Sequence, residues 1–340
     1  MSVTTENPQA TREAPGTASR VWLQRFTQLA PLWTLLALGV FFTLASPTFS
    51  RPINLSNILV QVSTLAIFGT GMTFVLLTGE IDLSIAAVAG LSGMVAAYLF
   101  ANQGYAEPVP TIGALAVATS LGLTSGIAST RFRIPTFMST LAVWLIAGGL
   151  NTYISKGRVI SELPGIAKFL GSTRIEGSQY LRVIMIVAMI TLLTGHIILR
   201  YTRFGRYVYM TGANKSAARL AGVNTDMVLV VTLTWCSFLA GLAGIVSMGR
   251  LGSAQPVEIP SFLIDTIGAV VLGGTALTGG RGGIPQTVVG LLIYGTLRNG
   301  LDNMPEIDVF LKEFITGIIL LIALIVNVVF SGKQSRDRTT

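Results

Sequence analysis

The stretch from Ser56 to Gly79 reads SNILVQVSTLAIFGTGMTFVLLTG and contains no charged side chain. An apolar run of about 20 residues is long enough to cross the hydrocarbon core of a bilayer as a helix. Outer-membrane β-barrels instead use strands of about ten residues with strict alternation of apolar and polar positions, which this run lacks. The stretch therefore predicts a transmembrane helix.

The 340-residue chain as a whole has the same character, with 51% apolar and only 11% charged residues. The mean hydropathy of +0.68 is too high for a water-soluble domain of this length. We expect an all-α membrane protein with about ten transmembrane helices. Their approximate bounds are 31–46, 55–78, 84–101, 111–130, 137–154, 181–199, 227–248, 262–277, 284–300 and 311–330.

The Lys and Arg residues predict the orientation of these spans. If both termini are cytoplasmic, the cytoplasmic segments hold 14 of the 23 Lys and Arg residues, which follows the positive-inside rule. The predicted organisation is a polar cytoplasmic N-terminal tail (1–30), a membrane domain (31–330) with a long basic loop at about 200–226, and a basic cytoplasmic C-terminal tail (331–340). Membrane lipid is then the surrounding partner.

Several function classes are disfavoured by composition. The basic residues are scattered among loops and form no patch or aromatic-interleaved stripe, so no nucleic-acid partner is expected. Cys236 and His196 are the only residues of their types, which leaves no basis for a metal site or a disulfide framework. Neither H-E-x-x-H nor G-x-S-x-G occurs, so no catalytic residues are predicted and an intramembrane enzyme is disfavoured.

The long basic loop contains GANKSAARLAGV, from Gly212 to Val223. Asn214 or Ser216 can cap a helix start, the Ala and Leu residues favour a helix, and Gly222 is a natural terminator. A helix of about two turns is not stable alone in water, so it must be held against something. Two interpretations stay open at this point: a helix on the membrane surface, or one that lies in a groove of a partner protein.

A resemblance to a known family bears on that choice. NKSAARLAGVNTDMV, then FLAGLAGIVSMGRLGSAQP (Phe238 to Pro256) and IDTIGAVVLGGTALTGGRGG (Ile264 to Gly283), resemble the permease subunits of bacterial ribose-type ABC sugar importers. LTGEIDLS (Leu77 to Ser84) and the Ser56–Gly79 stretch are similar to the N-terminal half of the same family. The resemblance covers roughly residues 50–330, and its motifs occur in the family's order.

The resemblance implies a type II importer-like permease that works as a homodimer in the bacterial inner membrane. It implies two further partners, an ABC ATPase subunit and a periplasmic sugar-binding protein. It also implies that the basic loop holds the ATPase-coupling helix, with the residues Asn214, Ala217, Ala218, Arg219 and Gly222. On this account Ala218 lies in the contact with the ATPase.

The chain itself lacks the phosphate loop G-x-x-x-x-G-K-[ST]. The glycine-rich GGTALTGGRGG has no Lys-Ser/Thr end, so it favours close helix packing over a nucleotide site. We expect no cofactor in this chain and no enzymatic activity of its own, with ATP and Mg²⁺ bound by the partner ATPase.

A short internal similarity links LTGEIDLSIAAVAGL (Leu77–Leu91) with LTGGRGGIPQTVVGL (Leu277–Leu291). It suggests two related halves, as many transporters have, although it leaves open whether they are inverted or same-facing. Both turns are predicted to be cytoplasmic, where Asp82 or Ser84 caps the next helix and Glu80 meets Arg281. Glu80 departs from the family pattern, so a role implied by the resemblance falls on Asp82.

Some polar residues within the spans could line a transport pathway or could instead join helices by hydrogen bonds. These residues are Gln61, Thr64, Thr140, Trp144, Asn151 and Asn299. Arg298 and Asp302 are four residues apart, a spacing that allows them to pair with each other.

The resemblance implies a pathway for a monosaccharide or related polyol, and the sequence does not name the sugar. A permease for branched-chain amino acids is the nearest alternative. An ion-coupled secondary transporter is a second, but such proteins normally hold ionisable residues at mid-membrane, whereas the charges of this chain cluster at span ends.

Overall fold

The computed structural model describes residues 30–256, 261–308, 310–319, 321 and 325. The predicted tails lie outside these residues, except for Ala30. The described backbone is helical, with two isolated β-bridges at Ile160–Ala254 and Arg174–Arg182. The helices are α1 (Ala30–Ala45), α2 (Pro52–Leu77), α3 (Ile85–Ala101), α4 (Val109–Arg131), α5 (Thr136–Ser155), α6 (Gly165–Ser172), α7 (Val183–Tyr201), α8 (Arg203–Ala213), α9 (Lys215–Leu220), α10 (Thr225–Leu251), α11 (Ser261–Leu272) and α12 (Ile284–Asp302). Residues 310–319 are also helical.

Five of the described helices are long and apolar enough to cross a membrane: α2, α4, α5, α7 and α10. The helices α1, α3 and α11 are apolar but shorter. Each of the first eight predicted spans overlaps one of these eight apolar helices, the ninth overlaps α12, and the tenth overlaps the helical residues 310–319. The chain is a multi-pass, all-helical membrane protein, and the count of ten spans remains a prediction.

The eighth predicted span, 262–277, is longer than the helix found there. α11 ends at Leu272, and a glycine-rich turn follows before α12. Gly274 and Gly279 in this turn have φ of +110° and +85°, in the left-handed region that favours glycine and cannot continue an α-helix. The turn therefore replaces the last helical turn that hydropathy alone predicts.

The centre of the fold is formed by α2 and α10, whose residues are mostly buried. α10 lies against α2, α3 and α4. Small residues allow this close approach: a Cβ atom on Gly126 of α4 would lie 2.9 Å from the Cα atom of Val230 in α10. Helices in lipid associate through such close packing rather than through the hydrophobic effect.

Four connecting segments gather at one face, which we call the basic face: the turn 78–84, the loop 131–135, the segment 202–224 and the turn 273–283. The Gly280 amide donates to the Leu77 carbonyl at 2.9 Å, and Lys215 lies 3.6 Å from Glu80. Contacts at the other ends of the helices define the opposite face, for example the 2.8 Å hydrogen bond from Asn54 to Asn299.

The two similar turns are neighbours within the basic face. A Cβ atom on Gly279 would lie 2.8 Å from the amide nitrogen of Gly79, so the two glycines are in direct contact. Both turns therefore face the same way, which rules out an inverted relationship for this pair of segments. That the whole chain consists of two related halves stays a prediction.

Candidate functional site

The predicted helix in the basic loop is present as α9 and starts with the predicted cap. The Asn214 side-chain oxygen accepts a hydrogen bond from the Ala217 amide at 2.9 Å. This bond satisfies one of the amides that have no partner at a helix start. Asn214 therefore fixes where the helix begins.

The end of α9 is equally well defined. Gly222 has φ of +83°, its amide donates to the Arg219 carbonyl at 3.0 Å, and the Val223 amide donates to the Ala218 carbonyl at 3.0 Å. This pair of bonds is the Schellman arrangement, which needs a left-handed residue just after the helix. The predicted terminator role of Gly222 follows from this geometry.

Ala218 faces the interior of this chain, contrary to the expectation that it contacts the ATPase. Its side chain is only 2% exposed and belongs to a buried cluster with Phe74, Leu77 and Val228. The expectation did not distinguish on which side of the helix each small residue lies. The rotation of α9 instead turns Ala218 inward and leaves Ala217, Leu220 and Ala221 outward.

Leu220 is the apolar residue that sequence analysis missed. It is 92% exposed at the end of α9, with exposed Ala217 and Ala221 beside it. We call these three residues the outward face of α9. The outward face of α9 therefore presents one large apolar side chain to the exterior.

Arg219 holds α9 to the start of α10. Its Nε atom donates to Thr225 Oγ1 at 2.8 Å, and its Nη2 atom donates to Asp226 Oδ1 at 2.6 Å. Both side chains of the ion pair are about half exposed, so the pair adds little to stability by itself. Its geometric effect is to fix the angle between α9 and α10.

The preceding helix α8 connects this site to the two similar turns. The backbone at Gly212 touches the Leu77 carbonyl and the Gly280 amide, and a side chain at Gly212 would overlap both. The Tyr209 hydroxyl donates to the Gly282 carbonyl at 3.0 Å, and burial raises the pKa of this hydroxyl. α8 therefore directly contacts the turns that end α2 and begin α12.

The turn residue Asp82 is fully buried. Its Oδ1 atom accepts hydrogen bonds from the Ser84 amide at 2.8 Å and the Ser84 hydroxyl at 2.6 Å, at the start of α3. Burial raises the pKa of Asp82. The predicted helix-start role thus falls on the Asp82 side chain, because the Ser84 side chain makes no capping bond.

The predicted pairing of Glu80 with Arg281 is wrong. Glu80 pairs with Lys215 of α9 instead, and Arg281 is exposed. The two turns meet through their backbones, which directs the Glu80 side chain toward the basic loop.

The six candidate pathway residues occupy different environments. Asn299 joins an interhelical network with Asn54 and Asn303, and Thr140 accepts a bond from the Leu83 amide at 3.2 Å. The Asn151 side chain donates to the Gln255 carbonyl at 3.3 Å. These three residues connect segments of the fold.

The remaining three candidates make fewer polar contacts. Thr64 is buried, and its hydroxyl has no hydrogen-bond partner among the described residues. Gln61 and Trp144 are half-buried, and Trp144 lies against the main apolar core. The structure does not bring the six residues together into one site.

Arg298 does not pair with Asp302 as the spacing suggested. Its Nη1 atom donates to Asp265 Oδ2 of α11 at 3.1 Å and contacts the Tyr294 hydroxyl at 3.0 Å. The pairing joins α11 to α12 across 33 positions of sequence, which local spacing cannot reveal. Among the described residues no group of three or more His, Cys, Asp or Glu side chains could hold a metal ion.

Comparison with known proteins identifies the family. The chain is 35% identical to the ribose import permease protein RbsC of Escherichia coli (strain K12) over 313 residues, which cover 91% of this chain and 95% of that protein. It is 35% identical to the ribose import permease protein RbsC of Bacillus subtilis (strain 168), covering 88% and 92% of the two chains. It is 31% identical to the fructose import permease protein FrcC of Rhizobium meliloti, covering 90% and 87%.

A family profile gives the same assignment. The profile described as "Branched-chain amino acid transport system / permease component" matches residues 54–324, from α2 into the last helical residues of the structure. The chain belongs to this family of transport-system permease components.

Proposed function

We propose that this chain is the membrane permease subunit of a binding-protein-dependent ABC importer and forms the pathway for a monosaccharide or related polyol. The observation on which this proposal rests is the outward face of α9. A capped helix presents Leu220 to the exterior while Ala218 and Gly212 fix it to the ends of the membrane helices. This is the arrangement that transmission of movement from a partner requires.

The ATP-hydrolysing step falls to a partner subunit, because the chain lacks a phosphate loop. The outward face of α9 is the proposed contact for that ATPase. We further propose that two copies of the chain form one pathway, that a periplasmic binding protein delivers the substrate, and that the basic face is cytoplasmic. The positive-inside rule supports this orientation, with both termini in the cytoplasm of a bacterium and the chain in its inner membrane.

The names of these relatives support a sugar as substrate. They include import permeases for ribose and fructose and a xylose transport permease. The family description names branched-chain amino acids instead, so L-leucine is the competing substrate to test.

The proposal is tested with proteoliposomes that contain this chain and its ATPase, with the binding protein added outside. We expect uptake of D-ribose, D-xylose or D-fructose that requires ATP inside and persists when ionophores collapse all ion gradients. Uptake without ATP that stops when the gradients collapse would show a secondary transporter. Uptake of L-leucine in place of every sugar would show an amino acid permease.

A further inference from the structure

A pocket opens on the opposite face of the molecule, between α3, α10 and α11. Its mouth is formed by Ser253 and Gln255, which follow α10, and its interior reaches Ala86 in the first turn of α3. The cavity volume of the pocket is about 50 Å³, room for a few water molecules, so a larger ligand contacts its mouth and outer wall. Along α3 it extends about 10 Å, from Gly93 to Ala86.

The pocket has an aromatic wall and a wall of small residues. Phe68 of α2 and Phe262 of α11 lie with ring centroids 5.6 Å apart at an interplanar angle of 31°. Ala89 and Gly90 of α3 also line the pocket.

Hydroxyl and amide groups supply the polar part of the lining. The Gln255 side-chain nitrogen donates to the Ser253 hydroxyl at 2.8 Å, while its side-chain oxygen accepts no hydrogen bond from a described residue. Deeper in the pocket, the hydroxyl of the buried Ser247 also makes no hydrogen bond to a described residue. These groups are free to bond hydroxyls of a ligand.

The mouth is held in place from behind. Ala254 exchanges two backbone hydrogen bonds with Ile160, at 2.8 and 3.2 Å. The Gln255 carbonyl accepts from Asn151 of α5, one of the residues that sequence analysis had considered for the pathway. The polar groups of the mouth are therefore preorganised before a ligand arrives, which lowers the cost of binding.

The described residues lining the pocket include no Asp, Glu, Lys, Arg or His. An amino acid carries two charges, and each of them would lose water in such a pocket without gaining a partner. A sugar is neutral, offers an apolar ring face to aromatic side chains, and bonds amides and hydroxyls through its own hydroxyls. The described part of the lining therefore fits a neutral polyhydroxylated ligand.

We infer that this pocket is a contact site for the transported sugar within the permease, on the side from which the sugar arrives. The inference rests on the proposed function and adds a substrate site in this chain to the one in the binding protein. The sugar ring lies against Phe262, and its hydroxyls bond Gln255 and Ser253 at the mouth.

Cysteine protection tests this inference, because the only native thiol, Cys236, is buried. The variant Ser253→Cys, assembled with the ATPase, is reacted with a small water-soluble maleimide while D-ribose, D-xylose or D-fructose is added without binding protein. At a sugar concentration tenfold above half-protection, mass action leaves about one-tenth of the sites free, so labelling slows about tenfold. Gln255→Cys serves if the first variant does not assemble, and Gln103→Cys, on another exposed loop, is the unprotected control.

Protection by a transported sugar, but not by L-leucine, supports the inference. If labelling is unchanged by the sugar in a preparation that still takes up the sugar, the inference is overturned and the proposed function stands. Labelling that responds only to added lipid or detergent has the same consequence. Absence of ATP-driven uptake for every sugar contradicts the proposed function and this inference with it.

Discussion

Gly212 of α8 lies directly against the carbonyl oxygen of Leu77, the last residue of α2, with no space for a side chain between them. This contact joins the basic loop to the membrane core. Because backbone meets backbone, no flexible side chain separates α8 from the end of α2.

A methyl group at this contact should disrupt it. Gly212→Ala places Cβ where the Leu77 carbonyl and the Gly280 amide now lie, and overpacking of this kind costs about 1–3 kcal/mol. We expect a lower melting temperature in detergent and slower transport. Gly39→Ala in α1 is the control, because a Cβ atom there meets nothing within 4 Å. Equal melting temperatures for the two variants would show that the contact is not rigid.

The same substitution should destabilise the protein strongly at one of the two alanines in the middle of α9 and hardly at the other. Ala218→Glu buries a carboxylate among Phe74, Leu77 and Val228, which costs several kcal/mol because no partner is available there. Ala217→Glu places the same group on the exposed side of the same helix. We expect thermal unfolding of the isolated chain to shift strongly for the first variant and hardly for the second. A shift of similar size in both would mean that α9 is rotated differently.

Several elements were predictable from sequence because the decisive signals are local. The apolar runs locate the membrane helices, and Asn214 and Gly222 mark the two ends of α9 through bonds to residues no more than five positions away. α8 was missed because the basic loop shows no apolar run, although α8 buries Gly205, Val208 and Thr211 on one side.

Side-chain pairing was not predictable in the same way. Glu80 meets Lys215 and Arg298 meets Asp265 only because helices distant in sequence pack at particular rotations. The internal similarity that suggested Arg281 as a partner of Glu80 carries no information about those rotations. The same is true of the four-residue spacing that suggested Asp302 as a partner of Arg298. The inward orientation of Ala218 depends on packing for the same reason.

Asp82 should make stability depend on pH. Burial raises its folded-state pKa above the usual value of 3.8, so between 3.8 and the raised pKa the folded protein holds a proton that the unfolded chain has lost. Stability then falls as pH rises through this window, by the linkage between proton binding and folding. Asp82→Asn keeps an oxygen acceptor for Ser84 but cannot ionise, so the melting temperature of this variant should change less with pH over the same window.

Asp82→Ala separates this effect from hydrogen bonding. It removes the acceptor for the Ser84 amide and hydroxyl, and leaving buried donors unsatisfied costs about 1–3 kcal/mol. We expect it to melt below Asp82→Asn at neutral pH. Parallel pH profiles for wild type and Asp82→Asn would contradict the assignment of the pH dependence to Asp82.

The ion pair between α11 and α12 should matter more than the one beside α9. The side chain of Asp265 is 13% exposed, and Arg298→Met leaves it without its cation. Such a change costs about 3–5 kcal/mol in a fully buried pair, and it should cost less here because the Arg298 side chain is 45% exposed. Arg219→Met breaks a half-exposed pair worth at most about 1 kcal/mol. Thermal unfolding should therefore be affected more by Arg298→Met. The reverse order would mean that Asp265 is solvated.

The central claim is that the outward face of α9 binds an ATPase subunit, and the most direct measurement is the amount of ATPase that co-purifies with Leu220→Asp. Leu220 is 92% exposed, so the substitution should leave the melting temperature of the chain unchanged. We expect ATPase recovery to fall at least about tenfold, a loss of about 1.4 kcal/mol of binding free energy, while Leu220→Met retains it. Full ATPase recovery and normal ATP-driven uptake with Leu220→Asp would contradict the claim.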